Sequence, residues 1–260
     1  MKLVQYLATS LLVCWLVTPA LSESRAEESS RSTLRRIDPQ ALEILKRMST
    51  TLAAAKAFTF HSRIVSEVPI RTGQFITLFS SAEVSLKRPD KLRARLRGEA
   101  PHFDFYFDGT TASSFAPKDK VYSTTKAPAT VDTMLPELQQ ETGIRFVSAP
   151  LLFSDPYEVL TRRLISGVVV GSASVNRIAC YHLAFRSPGV NWEVWIEAGK
   201  RALPWRLAVT FTDRANFPRT LVEFTRWNLH PWLNSRDFVF SKPAGGREIP
   251  FIAVIQPRSR

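Results

Sequence analysis

Cysteine is nearly missing: the 260 residues hold two, Cys14 and Cys180. Cys14 lies in the first apolar run, so removal of that run leaves Cys180 alone. That excludes a disulfide-stapled miniprotein, and the fold must stand on its own core. Glycine is scarce, ten against seventeen phenylalanines. That excludes a collagen-like chain and favours strands. No long apolar run follows residue 22, which excludes a multi-spanning helical membrane protein. Acidic residues are in deficit, 23 against 35 lysines and arginines, giving a formal charge of +12. Signatures of catalysis are missing as well. There is no Gly-x-Ser-x-Gly elbow, no phosphate loop and no dinucleotide fingerprint. The four histidines, His61, His102, His182 and His230, have no partner at metal-ligand spacing. No cofactor is expected.

The N-terminus carries a targeting pattern. Lys2 precedes an uncharged stretch from Leu3 to Ser22 with a short apolar centre, Leu11 to Val17. Pro19, Ala20 and Ser22 then lead to the charged Glu23. A basic start, an apolar middle and small residues before a polar segment make a secretory signal over residues 1–22. Ala20-Leu21-Ser22 offers one cleavage site and Thr18-Pro19-Ala20 a second. The alternative is an uncleaved anchor, which Gln5, Thr9, Ser10 and Pro19 weaken. Val13 before Cys14 does not suit lipidation. Removing residues 1–22 takes away one lysine and no acid, leaving a charge of +11. The expected location is the periplasm. Residues 23–36 mix Ser, Arg and Glu and read as a flexible linker. Residues 37–251 are expected to form one domain, with a basic tail at 252–260.

Asp38-Pro39 opens a helix, with Asp as N-cap and Pro at the first helical position. Leu42, Leu45, Met48 and Leu52 share one face, and the helix is expected to end near Ala57. Short extended runs follow. Residues 61–68 and 73–86 form a first hairpin. Leu92, Ala94 and Leu96 alternate with Arg93, Arg95 and Arg97, a strand with three arginines on one face. Phe103, Phe105 and Phe107 alternate in the same way before the tight turn at Asp108-Gly109. Short strands at 111–115 and 121–124 come next. A helix over about 131–141 carries Pro136 in its first turn or kinks at it, with Gly143 as C-terminal cap. Asp155-Pro156 opens another helix, to about Ile165. Strands at 168–175, 179–186, 191–197, 204–212 and 220–229 and a last one at 238–240 make an antiparallel meander. The fold class is α+β, an open antiparallel half-barrel of about ten or eleven strands with a few helices as lid.

Candidate sites follow from these faces. Trp192 and Val194 lie on one face of their strand, opposite Trp195; Trp205, Leu207, Val209 and Phe211 form another apolar face. With Phe103, Phe105 and Phe107 they are expected to line an apolar ligand site between sheet and helices. The competing reading of each residue is filled core. Arg93, Arg95 and Arg97, beside Lys87, Arg88 and Lys91, form a basic patch for anionic headgroups or an acidic partner; the plainer reading is a solvated strand face. Cys180 reads as a small buried hydrophobe. Asp104 with Asp108, or Glu193 with Glu197, would be the carboxylate pairs of an enzyme, but exposed strand faces carry such residues routinely. No enzymatic activity is expected. Nucleic acid fits poorly with an exported chain, so the basic excess does not indicate it.

A set of motifs in order adds a resemblance. Asp38-Pro39-x-Ala41-Leu42 with Arg47-Met48-Ser49, Arg88-Pro89-Asp90-Lys91-Leu92-Arg93 and Phe105-Tyr106-Phe107-Asp108-Gly109 come first. Thr130-Val131-Asp132-x-Met134-Leu135, Asp155-Pro156-Tyr157, Cys180-x-His182-Leu183-Ala184-Phe185-Arg186 and Trp192-Glu193-Val194-Trp195-Ile196-Glu197 complete it. Together they resemble a family of bacterial periplasmic proteins of unassigned function. That family is in turn similar, more distantly, to the lipoprotein carriers LolA and LolB. The resemblance implies a half-open barrel over an apolar cavity that holds acyl chains. It also implies a lipid or acylated protein as ligand, with a membrane-surface or envelope protein as further partner. A monomer is expected. The chain lacks an equivalent of the protruding apolar loop of LolB. The alternative function is an envelope sensing or regulatory module without lipid cargo.

Overall fold

A computed structural model describes residues 37–99, 102–142 and 146–250. The expected signal, linker and basic tail lie outside the described residues, as does Gly143. Helix α1 is Pro39–Ala54. Strands β1 (Ala57–Pro69), β2 (Phe75–Lys87), β3 (Lys91–Gly98), β4 (Phe103–Phe107), β5 (Thr111–Ala116) and β6 (Val121–Lys126) follow. Helix α2 (Val131–Thr142), a single 3-10 turn (Ala149–Leu152) and the short helix α3 (Pro156–Thr161) separate them from the second half. That half holds β7 (Ser166–Val175), β8 (Ile178–Ser187), β9 (Val190–Glu197), β10 (Pro204–Phe211) and β11 (Arg219–Asn228). A 3-10 turn (Ser235–Phe238) and β12 (Arg247–Glu248) end the described chain.

The twelve strands form one sheet in the order β12-β6-β5-β4-β3-β2-β1-β11-β10-β9-β8-β7. Neighbours are antiparallel except β12, which runs parallel to β6. The end strands β12 and β7 do not meet, so the sheet is an open half-barrel, and β1 against β11 joins its two halves. The open antiparallel half-barrel is the expected one; the two-residue β12 beside β6 is the strand that the sequence did not mark.

Local chemistry fixes the helices as the sequence implied. Asp38 Oδ1 accepts from the Gln40 N–H at 2.8 Å, capping α1. Asp155 Oδ1 accepts from the Glu158 N–H at 2.9 Å, capping α3. Both helices end earlier than expected, at Ala54 and Thr161. In α2 the Thr130 hydroxyl caps the Thr133 N–H at 3.2 Å. Pro136 sits past the first turn, so α2 forgoes one interior hydrogen bond.

One face of the sheet and the helices enclose the main core. Leu45, Met48 and Leu52 of α1 and Met134 of α2 are fully or nearly fully buried with Phe58, Phe60, Leu86 and Phe224. A smaller cluster lies on the opposite face: Val175, Cys180, Trp195 and Ala208. The expected strand at 238–240 is a correction. Asn234 and Asp237 form a reciprocal capping box that closes a 3-10 turn there. Phe240 packs instead on Tyr106, Phe115 and Tyr122, at 5.7, 6.1 and 5.4 Å between ring centroids.

Candidate functional site

Between the β8–β10 part of the sheet and the helical segments lies an apolar cavity of about 400 Å³. Its floor is Trp192 and Val194 of β9 with Leu207, Val209 and Phe211 of β10. These positions alternate along antiparallel partners (Val194 opposite Leu207, Trp192 opposite Val209), so strand pleating alone brings them together. Its roof is Met48, Leu151, Phe153 and Leu160. Exposed Gln139, Arg162, Arg163 and Pro188 line its mouth. Arg162 pairs with Glu158 at 3.0 Å, while Arg163 makes no ion pair among the described residues. The volume falls near the lower end of the roughly 300–1,000 Å³ of small-ligand sites.

Two smaller spaces adjoin it. One, of about 60 Å³, lies over β2–β4 and is lined by Phe103 and Phe105 with Leu92, Leu96 and Leu138. The other, of about 220 Å³, lies against Leu135, Pro136 and Gln140 of α2. All three share Phe146 and Ala149, which divide them. Phe146 also meets Phe103 at 6.4 Å between centroids. Sequence reasoning missed Phe146 because it follows a helix end and belongs to no periodic face.

The expected site residues therefore separate. Trp192, Val194 and Leu207 line the main cavity. Phe103 and Phe105 line the small one. Phe107 is fully buried and part of the core. Trp205 is a correction: it lies on the other face of the sheet. A bulge between Pro204 and Arg206 shifts the β9–β10 register there, and an extra residue in a strand re-aims its side chain. Trp205 packs on the Cys180–Trp195 cluster, and its indole N–H donates to Glu197 at 3.3 Å.

Arg93, Arg95 and Arg97 occupy the alternate positions of β3, and each has a neighbour on an adjoining strand. Arg93 lies over the Tyr106 ring at 5.1 Å. Arg95 reaches Glu83 at 3.6 Å and Arg97 reaches Asp104 at 2.6 Å. The patch lies away from the cavity. The carboxylates are similarly engaged: Glu193 meets His182 at 2.8 Å and also Arg219, and Glu197 meets Arg201. Burial pushes the Cys180 thiol up to about 11, with Glu197 adding to the shift. Such a thiol is not a nucleophile at neutral pH. Among the described residues no cluster of three His, Cys, Asp or Glu is placed to hold a metal. None of their helices is long and apolar enough to cross a membrane.

A family model described as a predicted periplasmic protein, DUF2092, matches residues 41–252. No curated protein sequence matches. Among solved structures, the Mycobacterium tuberculosis lipoprotein LppX is 13% identical with a TM-score of 0.48, covering 76% of this chain and 100% of its own. An uncharacterized conserved protein of Thermus thermophilus is 11% identical with a TM-score of 0.46, covering 81% and 98%. A LolA superfamily protein of Nitrosomonas europaea is 10% identical with a TM-score of 0.37, covering 77% and 97%. Each of these likenesses is distant.

Proposed function

We propose that this chain, which belongs to the DUF2092 family of predicted periplasmic proteins, binds one acyl chain of a lipid or lipid-modified protein between its sheet and its helices. The observation that carries this reading is the 400 Å³ apolar cavity with arginines at its mouth. Its floor and roof offer aliphatic and aromatic carbon and few polar groups. A hydrocarbon chain needs nothing else: each CH₂ removed from water contributes about 0.8 kcal/mol. A polar ligand of the same size would find few partners and would lose its hydration. Arg162 and Arg163 at the rim suit an anionic headgroup left in solvent.

The role is carriage or sequestration without catalysis. Its test is native mass spectrometry of the protein secreted into the periplasm and purified without detergent, followed by organic extraction. The reading expects a discrete added mass that extraction releases as acyl lipid. An apo mass that takes up no added phospholipid or fatty acid would overturn it.

A further inference from the structure

Eight large apolar side chains are exposed among the described residues. Six of them, Ile70, Ile76, Phe79, Val168, Val170 and Phe217, lie toward one end of the sheet. The register shows why. The last residues of β1, β8 and β10 and the first of β2, β7, β9 and β11 all reach that end. Hydrogen bonds tie its turns side by side. Thr212 N–H donates to Gly189 O at 2.9 Å, joining the β10–β11 and β8–β9 turns. Arg219 N–H donates to the Glu67 carboxylate at 2.8 Å, joining the first of these to the β1–β2 hairpin. Phe79 and Phe217 are each 60% exposed. The same end carries exposed Arg71, Arg162, Arg163, Arg186 and Arg214. Arg214 lies over the Phe211 ring at 4.3 Å, at the edge of the cavity floor. The acids at this end are Glu67, engaged as above, Glu99, which accepts from the Phe79 N–H at 2.6 Å, Glu158, paired with Arg162, and Asp213 of the β10–β11 turn. Pro188, in the β8–β9 turn, and Arg162 and Arg163 also line the cavity mouth.

Aromatic side chains interleaved with arginines suit the interface of an anionic bilayer, where apolar groups insert and guanidinium groups meet phosphates. We propose that this end of the sheet, with Phe79, Phe217 and Ile70 as inserting groups, docks the protein on an anionic phospholipid membrane, with the cavity mouth turned toward the lipid. The docking surface rests on the lipid-binding reading only for its purpose, because vesicle binding is measured independently of cargo.

The test is sedimentation of the secreted protein with phosphatidylglycerol-containing vesicles, against vesicles of phosphatidylcholine alone. Binding to the anionic vesicles is expected, weakening with salt. The double variant Phe79→Ser, Phe217→Ser should lose most of it. Arg71→Gln and Arg214→Gln should each lower the partition coefficient roughly five-fold. Trp232→Ser, an exposed aromatic beyond the far end of β11, should leave binding unchanged. All these positions are exposed, so circular dichroism should be unaltered. Absence of vesicle binding, or equal loss in Trp232→Ser, would overturn the proposal. Vesicle binding by a protein that carries no extractable lipid and takes up no added phospholipid or fatty acid would sink the cargo reading and leave the docking surface standing. Release from vesicles by a protein ligand, with the Phe79 and Phe217 variant unimpaired in membrane binding, would assign the patch to that ligand instead.

Discussion

Phe185 and Trp192 are direct register partners across β8 and β9, and their rings stack at 4.3 Å with planes 25° apart. Gly167 of β7 stands on the other side of Phe185. A Cβ there would come within 2.4 Å of the Phe185 ring, closer than atoms can approach. The missing side chain is therefore what lets Phe185 lie flat against the tryptophan that floors the cavity. Gly167→Ala should push the ring aside, at a cost of about 1–3 kcal/mol for overpacking a filled site. The measurements are urea denaturation and the near-ultraviolet circular dichroism of tryptophan. Unchanged stability and spectrum would show that the ring yields freely.

Arg88 holds three elements together. Its guanidinium donates to Leu152 O at 2.8 Å and Leu52 O at 3.4 Å and lies 5.8 Å from the centre of the Phe58 ring. It thus ties the end of α1 and the 3-10 turn to the sheet, and both contribute to the cavity roof. Burial pushes its pKa down, partly offset by Asp132, yet an arginine stays charged at any working pH. Arg88→Met keeps the bulk and removes the donors. The expected loss is about 2–3 kcal/mol, since hydrogen bonds from a charged group are the strong ones. A loss below experimental error would mean that water replaces the guanidinium without cost.

The turn after β4 predicts an acid-sensitive step. Burial pushes the Asp108 carboxyl upward, but hydrogen bonds from the N–H and hydroxyl groups of Thr110 and Thr111 outweigh it and hold the pKa below the ordinary value. A depressed folded pKa means stability that is present above the unfolded value, about 3.9. It is lost as the pH falls through the folded one. Asp108→Asn keeps an acceptor and removes the titration. Its denaturation midpoint should fall less steeply than that of the parent below about pH 4. Superimposable acid limbs would remove Asp108 from the account.

Much of this architecture was legible because it follows from local chemistry. Two Asp-Pro pairs marked two helix starts. Alternation over Leu92–Arg97 and Phe103–Phe107 marked two strands and which side chains they bury. Trp192, Val194 and Leu207 were placed together because antiparallel pleating carries a face from one strand to the next. What failed was non-local. The bulge that turns Trp205 to the other face inserts one residue, which alternation cannot reveal. Strand β12 is two residues long and exists only because the chain returns beside β6. Phe146 depends on where the segment after α2 crosses the sheet, and the exposed rim on which turns the register sets side by side.

On the acyl-chain reading proposed above, Phe146 should set how long a chain the cavity can take. It is half-buried, its ring stands where the three apolar spaces adjoin, and Ala149 is the other residue common to them. Replacing it with alanine should connect the main cavity to the space lined by Phe103 and Phe105. The cost should be about half of the roughly 3–5 kcal/mol of a fully buried Phe→Ala change. Bound lipid extracted from Phe146→Ala should then shift toward longer acyl chains. The opposite change, Leu207→Phe, fills the floor of the main cavity and should reduce bound lipid with little loss of stability. A variant pair that carried the same chains in the same amount as the parent would place the ligand outside this cavity. A shift in opposite directions would identify the cavity by its length as well as by its polarity.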